Sequence, residues 1–418
     1  MSQKTCLFML NSARDRKKVL FVCHFMGSLS CSEIMGLFFM KIFKKIGNHR
    51  ASDKYKWRFH NDKKDSKNYG SGVVMESIKK RKARQISILV LILVAIVVVS
   101  LYSISVGSIN ISIPDILSIL TGQTVADDTF SPIIMNIRLP RTLATIMGGA
   151  CLALSGLLLQ IFFKNPIVEP YILGISSGAT LFVGLVLLGG FSFGLKSLPP
   201  MGLFAGAFLG AMLVMVVVVF AAQKVKNITT LLIIGMMAGF ICNAFTSILT
   251  AFADKEQLHG FVMWSMGSFS GFSWPQVQFL YGIGLPMIIL AFVLSKPLNA
   301  MLFGENYAIS MGLSMKKFRV VVILIASVMT ATITAFAGPI AFVGLAVPHM
   351  VRITMGTSDN RILIPGVILA GALMTGVCDL IARMILSPIE LPLGVITALI
   401  GAPIVVYLLV HKTKGNEL

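Results

Sequence analysis

Few residues in this 418-residue chain could do chemistry, and most of those are arginines. Arg138 and Arg141 flank a proline in the run IMNIRLPRTLATIM, with apolar sequence on both sides. A guanidinium stays charged and can grip a carboxylate through two parallel hydrogen bonds, so such a pair suits recognition of an acidic partner. The same residues would also serve as interfacial anchors, their stems along apolar surface and their heads in water. Asp379 and Arg383 stand at i,i+4, on one face of a helix, where the acid offers Arg383 a local ion pair. His349 follows Pro348 in an apolar stretch, where a lone histidine reads as a packing residue. No CxxC or HExxH occurs, so no metal site is expected. GFSFGLKS at 190–197 comes near a phosphate loop, but Leu195 separates the glycine from the lysine, and nucleotide binding is not expected there. No catalytic residues are expected, and the chain does not read as an enzyme.

The elements that would carry these residues are set by hydropathy. Hydrophobic residues make up 56% of the chain and charged residues 13%, too apolar for a soluble globule of this length. Stretches such as 86–106 and 228–253 reach the roughly 20 residues that span a bilayer without one charge. Uninterrupted apolar runs indicate helices, not alternating barrel strands. The fold class expected is therefore all-α and polytopic, with about ten transmembrane helices. They fall near 86–106, 140–163, 171–190, 201–222, 228–253, 277–295, 318–337, 342–355, 363–385 and 393–410. Gly202, Gly206 and Gly210, with Gly174/Gly178 and Gly149/Ala153, form small-xxx-small patterns that let helices approach closely in lipid. Cys151, Cys242 and Cys378 each sit alone in an apolar run, as small packing residues do.

Charge sets the orientation. Of the basic residues after Met75, most fall in alternate loops, among them the Lys79–Arg84 cluster, Lys164, Lys224, Lys296, the cluster Lys316, Lys317 and Arg319 at the membrane surface, and Arg361. Arg138, Arg141, Lys196, Lys255 and Arg383 fall in the opposite set. By the positive-inside rule the first set, and both termini, face the cytoplasm. The net charge of +19 thus reads as topology signals, and no nucleic-acid partner is expected. Residues 1–74 are unlike the rest, mixing short apolar runs with scattered bases. Met75 opens a short basic leader that runs straight into a span, so 1–74 reads as an atypical extension or a mis-assigned start, ahead of a ten-helix membrane unit over 75–418. The spans carry almost no ionisable groups, which disfavours an ion-coupled transporter working alone, the alternative reading, since that needs carboxylates at mid-membrane depth.

Five ordered motifs sharpen this. They are RLPRTLATIMGGACLALSGLLLQIFFKNPIVEPYILGISSGA from Arg138, WSMGSFSGFSW at 264–274, GENYAISMGLSMKK at 304–317, GPIAFVGLAVPHMVR at 338–352 and ELPLGVITALIGAPIVVYLL at 390–409. Together they resemble the FecCD family of bacterial permeases, which import ferric siderophores, haem and cobalamin. The resemblance implies a multi-pass subunit of the bacterial inner membrane that moves an iron chelate, a ferric siderophore foremost, by alternating access. It implies a second permease subunit (a copy or a paralogue), two cytoplasmic ATPases and an extracytoplasmic substrate-binding protein as partners. No cofactor is expected in this chain; ATP and magnesium would sit on the ATPases. Arg138, Arg141 and Arg383 match outward-facing positions that dock the binding protein. Gly304, Glu305, Ala308, Gly312 and Lys316 match the helix–turn–helix that couples to the ATPase. Asn227, Thr229 and Thr230 resemble the family's cytoplasmic gate.

Overall fold

The computed structural model describes residues 69–413 apart from 108, 123–128, 190–199, 226 and 388. The extension up to residue 68, the GFSFGLKS stretch, and Lys196 and Lys226 therefore lie outside the described residues. The described residues belong to one compact unit, Asp62–Leu418. They contain helices and no strands.

Among the described residues seven helices are long and apolar enough to cross a bilayer. Three shorter apolar helices, Ile175–Leu188, Val343–Met355 and Leu393–Tyr407, fall where the remaining spans are expected. In chain order, α1 (Tyr69–Ser105) precedes a short outer helix α2 (Ile113–Leu120). The single turn α3 (Phe130–Ile133) and a π-turn (Ile134–Arg138) lead into α4 (Leu139–Phe162). Then come α5 (Ile175–Gly184), α6 (Pro200–Lys224), α7 (Ile228–Ala251) and the short α8 (Lys255–Ser265). The helices α9 (Trp274–Val293), α10 (Ser295–Leu302), α11 (Glu305–Ser310) and α12 (Met315–Ala337) follow. The chain closes with α13 (Val343–Met355), α14 (Asn360–Met384) and α15 (Leu393–Thr413).

Two expected boundaries move. The first helix begins by Tyr69, ahead of the expected 86, because its basic residues continue the helix instead of preceding it. The span expected from 171 starts at Ile175, because Pro166, Pro170 and a left-handed Gly174 (φ 76°) hold residues 165–174 in turns and a 3-10 segment.

The helix α4 is the centre of the bundle. Of its most apolar window 89% is buried, against 11% for α1, which turns its apolar side outward. Glycines make this crowding possible. A Cβ at Gly149 would collide with the Gly371 carbonyl of α14, and one at Gly156 with the Gly344 carbonyl of α13. The expected Gly178 and Gly210 positions meet each other where α5 crosses α6, with 2.5 Å between a Cβ at Gly178 and the Gly210 oxygen. Close backbone approach of this kind is what holds helices together where lipid supplies no hydrophobic force. Cys151, Cys242 and Cys378 are buried free thiols inside this packing.

Candidate functional site

The polar contacts gather at two opposite ends of the bundle. At one end the π-turn before α4 aims Arg138 back across α1. Its Nη1 donates to the carbonyls of Ile104 (2.6 Å) and Ser105 (2.9 Å), and its Nη2 to that of Ile109. Arg141, one turn further, sits between two acids. Its Nε and Nη2 donate to Asp379 Oδ1 at 3.2 and 2.9 Å, and its Nη1 to Glu390 Oε1 and Oε2 at 2.8 and 3.0 Å. Arg383 shares the other Asp379 oxygen, its Nε 3.2 Å from Oδ2, and donates to the backbone oxygen and hydroxyl of Ser103. One carboxylate thus joins two guanidiniums, and the cluster staples α1, α4, α14 and the connection before α15.

Arg138, Arg141 and Arg383, the three residues expected to dock a binding protein, are thus tied into the bundle. Arg138 and Arg141 are only 6% and 8% exposed, and Asp379 2%. A buried charge needs a counter-charge or hydrogen bonds: Arg141 and Arg383 share Asp379, and Arg138 is held by three backbone carbonyls. The Asp379–Arg383 pair was visible from its spacing. The role of Glu390 was not, although it opens the motif ELPLG, because its partner lies 249 residues away. Glu390 is also the open part of the cluster, its side chain 43% exposed.

The opposite end holds the other predicted residues. Gly304 (φ 113°) and Gly312 (φ 86°) bound α11 with backbone conformations that L side chains rarely adopt. Glu305 opens the helix, Ala308 is fully buried beneath it, and the Leu313 N–H closes the turn on the Ala308 carbonyl at 3.0 Å. Tyr307, Ile309 and Met311 point outward, 47%, 53% and 66% exposed. The helix–turn–helix expected here is present, with α12 itself as the second helix and Lys316 exposed in its first turn. Asn227 caps α7, its Oδ1 accepting the Thr229 N–H at 2.9 Å, and Asn227, Thr229 and Thr230 are all exposed. An open cleft of about 550 Å³ separates the two elements, lined by Lys164, Asn227, Ile228, Phe303, Glu305 and Tyr307. Arg319, read from sequence only as one of a positive cluster, contacts Glu305, which lines the cleft, and the Val225 carbonyl.

A third feature lies in the connection between α4 and α5. Glu169, 8% exposed, accepts the N–H of Phe342 at 3.1 Å. Phe342 is non-glycine with φ 69°, directly before α13. Burial pushes the Glu169 carboxyl up to about 7, and the Phe342 N–H lowers it in part. Nearby, Gln160 donates to the Gly344 and Leu345 carbonyls and accepts from Arg352, tying α4 to α13. Among the described residues no three His, Cys, Asp or Glu side chains come together as a metal would require.

The FecCD transport family matches residues 90–411 of the chain. The chain is 36% identical over 281 residues to the vitamin B12 import system permease protein of Salmonella typhi, covering 67% of this chain and 84% of that one. It is 33% identical over 300 residues to the hemin transport system permease protein of Yersinia pestis, covering 71% and 88%. A solved structure described as a metal-chelate type ABC transporter by assignment, in an inward-facing conformation, superposes with a TM-score of 0.69 at 30% identity, over 78% of this chain and 99% of that one.

Proposed function

The chain belongs to the FecCD transport family, and on that premise we propose that it is the membrane-spanning subunit of an ATP-driven importer for an iron chelate, a ferric siderophore foremost, with haem and cobalamin as the other members of the substrate class. The observation that carries this reading is the match over almost the whole bundle, to permeases named for hemin and vitamin B12 import. The exposed apolar helix α11, held between two positive-φ glycines, suits the groove of a cytoplasmic ATPase. Asn227, Thr229 and Thr230, across the cleft from it, suit a gate at the same end.

In the proposed cycle two such subunits, identical or paralogous, enclose the path in the inner membrane of a bacterium. ATP binding and hydrolysis on the two ATPases exchange its inward and outward openings. A binding protein docks at the end that carries Arg138, Arg141 and Arg383. Since Arg141 already holds Glu390, docking there is an exchange of carboxylates and not capture by a free cation. The end bearing α11 and both termini faces the cytoplasm in this reading.

The test is purification from the native host followed by reconstitution in vesicles. An ATPase should co-purify, and uptake of radiolabelled ferric hydroxamate, hemin or cyanocobalamin should require ATP. Uptake that an uncoupler abolishes and ATP depletion leaves intact would instead show an ion-coupled carrier.

A further inference from the structure

One side chain touches both of the elements to which the proposed function gives separate tasks. Arg319 lies in the second turn of α12, its side chain 11% exposed. Its Nη2 is 3.4 Å from both carboxylate oxygens of Glu305, the first residue of α11. Its Nη1 donates to the Val225 carbonyl at 3.2 Å. Val225 ends α6, its N–H on the Ala221 carbonyl at 2.8 Å, and stands just ahead of Asn227, the cap of α7. The guanidinium therefore joins the ATPase-facing helix to the residue that follows α6, just ahead of α7.

We propose that Arg319 is the positioning residue that passes movement of α11 to the α6–α7 connection and hence to the entrance of α7. This rests on the reading that an ATPase docks on α11. Three observations carry it. The root of Arg319 is fixed, because its α12 neighbours Phe318 and Val322 are buried in the bundle, 4% and 0% exposed. The two elements it joins are not fixed in the same way, since α11 presents Tyr307, Ile309 and Met311 outward and the α7 cap is exposed. The planar fork of a guanidinium presents separate donors to a carboxylate and a carbonyl at once, whereas a lysine would offer one point charge to both. When Glu305 is drawn toward a docked partner, the guanidinium turns about its fixed stem and the Val225 carbonyl loses or shifts its donor. Glu305 is 28% exposed, so the pair lies at the rim of the protein, where it can break and reform.

The experiment uses the permease with the ATPase that co-purifies with it, in nanodiscs, with its other cysteines replaced by serine. The reporter is Ile233→Cys, on the exposed side of α7 and 45% exposed in the parent. Its rate of labelling by a permeant maleimide is measured with and without ATP plus vanadate. In the parent the trapped nucleotide should change the rate by at least about fivefold, the lower edge of common allosteric couplings. In Arg319→Gln and in Glu305→Gln the change should fall below about twofold, and the double variant should be no worse, because both singles cut one linkage. The amount of ATPase retained should stay that of the parent in Arg319→Gln. A parent-like response in Arg319→Gln overturns the proposal. So does loss of the ATPase together with the response, which would make Arg319 a docking residue. If Arg319→Gln fails to fold, Arg319→Lys, which keeps the charge and loses the fork, carries the test: it too should fall below about twofold, and a parent-like response in it overturns the proposal. A parent chain that retains no ATPase removes the functional reading itself, and the proposal with it, and is told apart by that result.

Discussion

Asp379 is the residue on which the outer cluster depends. It is buried at 2% exposure and contacts the guanidiniums of Arg141 and Arg383 with its two oxygens. Removing one member of a buried, paired set leaves the rest charged and desolvated, at a cost of about 3–5 kcal/mol. Asp379→Ala is therefore expected to lower the thermal unfolding midpoint in detergent steeply. Glu390→Gln removes a 43%-exposed acid from the same Arg141, and its effect should be within about 1 kcal/mol, as for surface pairs. Equal and small losses from both would show that the cluster is not the staple its geometry describes. The same Glu390→Gln change should tighten association with the binding protein if docking exchanges carboxylates on Arg141. At this scale the sequence was informative about charge and silent about partners. The arginines of the RLPR motif stand out against apolar neighbours, but Asp379 lies 238 residues from Arg141, and nothing local marks the pairing. Arg319 was legible only as a base near a membrane surface, because Glu305 and Val225 reach it through folding.

Helix crossings and breaks set the next scale. Gly149 and Gly156 lie where α4 meets carbonyls of α14 and α13, with no space for a Cβ. Gly156→Val should cost about 1–3 kcal/mol or more by overpacking, whereas Gly282→Ala, in α9 with nothing within 4 Å, should be neutral or slightly stabilising. Melting of the two variants side by side checks this, and a tolerated Gly156→Val would refute the close crossing. The break before α13 gives a pH prediction. Glu169, in the connection outside the spans, has its carboxyl pushed from 4.5 up to about 7, chiefly by burial. Between those values the folded protein holds a proton that the unfolded chain has released, so stability should fall as pH rises through this window. Glu169→Gln still offers the Phe342 N–H an acceptor and should flatten that fall; an unchanged pH profile would remove Glu169 as its source. The helices themselves were legible because span length is a property of composition. The start of α5 was not, because the turns at Pro166, Pro170 and Gly174 shorten an apolar run that hydropathy alone counts as helix.

For the molecule as a whole, the contacts divide between two ends, as alternating spans require. Gln85 at the foot of α1 donates to Met355 at the end of α13, and Asn299 of α10 holds Asp359 and Asn360 at the start of α14. The Arg141 cluster lies at the far ends of α1 and α14. Single cysteines at Glu256 in α8 and Asn306 in α11, both exposed, should thus label from opposite sides of intact cells and inverted vesicles, with Asn306→Cys reached only from the cytoplasm. Labelling of both from one side would overturn the topology. The order of synthesis adds a final consequence of the Arg141–Asp379 pairing. Arg141 leaves the ribosome 238 residues ahead of its acid. At about 5–20 residues per second that is an interval of roughly 10–50 s. Meanwhile α4 carries Arg141 into or beside the membrane without the carboxylate that neutralises it, at a cost of about 2.5–3.5 kcal/mol where it lies at depth. The apolar α1, which needs no such partner, can insert at once. The nascent α4 must wait at the insertion machinery, or near the bilayer surface, until α14 is made, so the bundle's most central helix is among the last to settle.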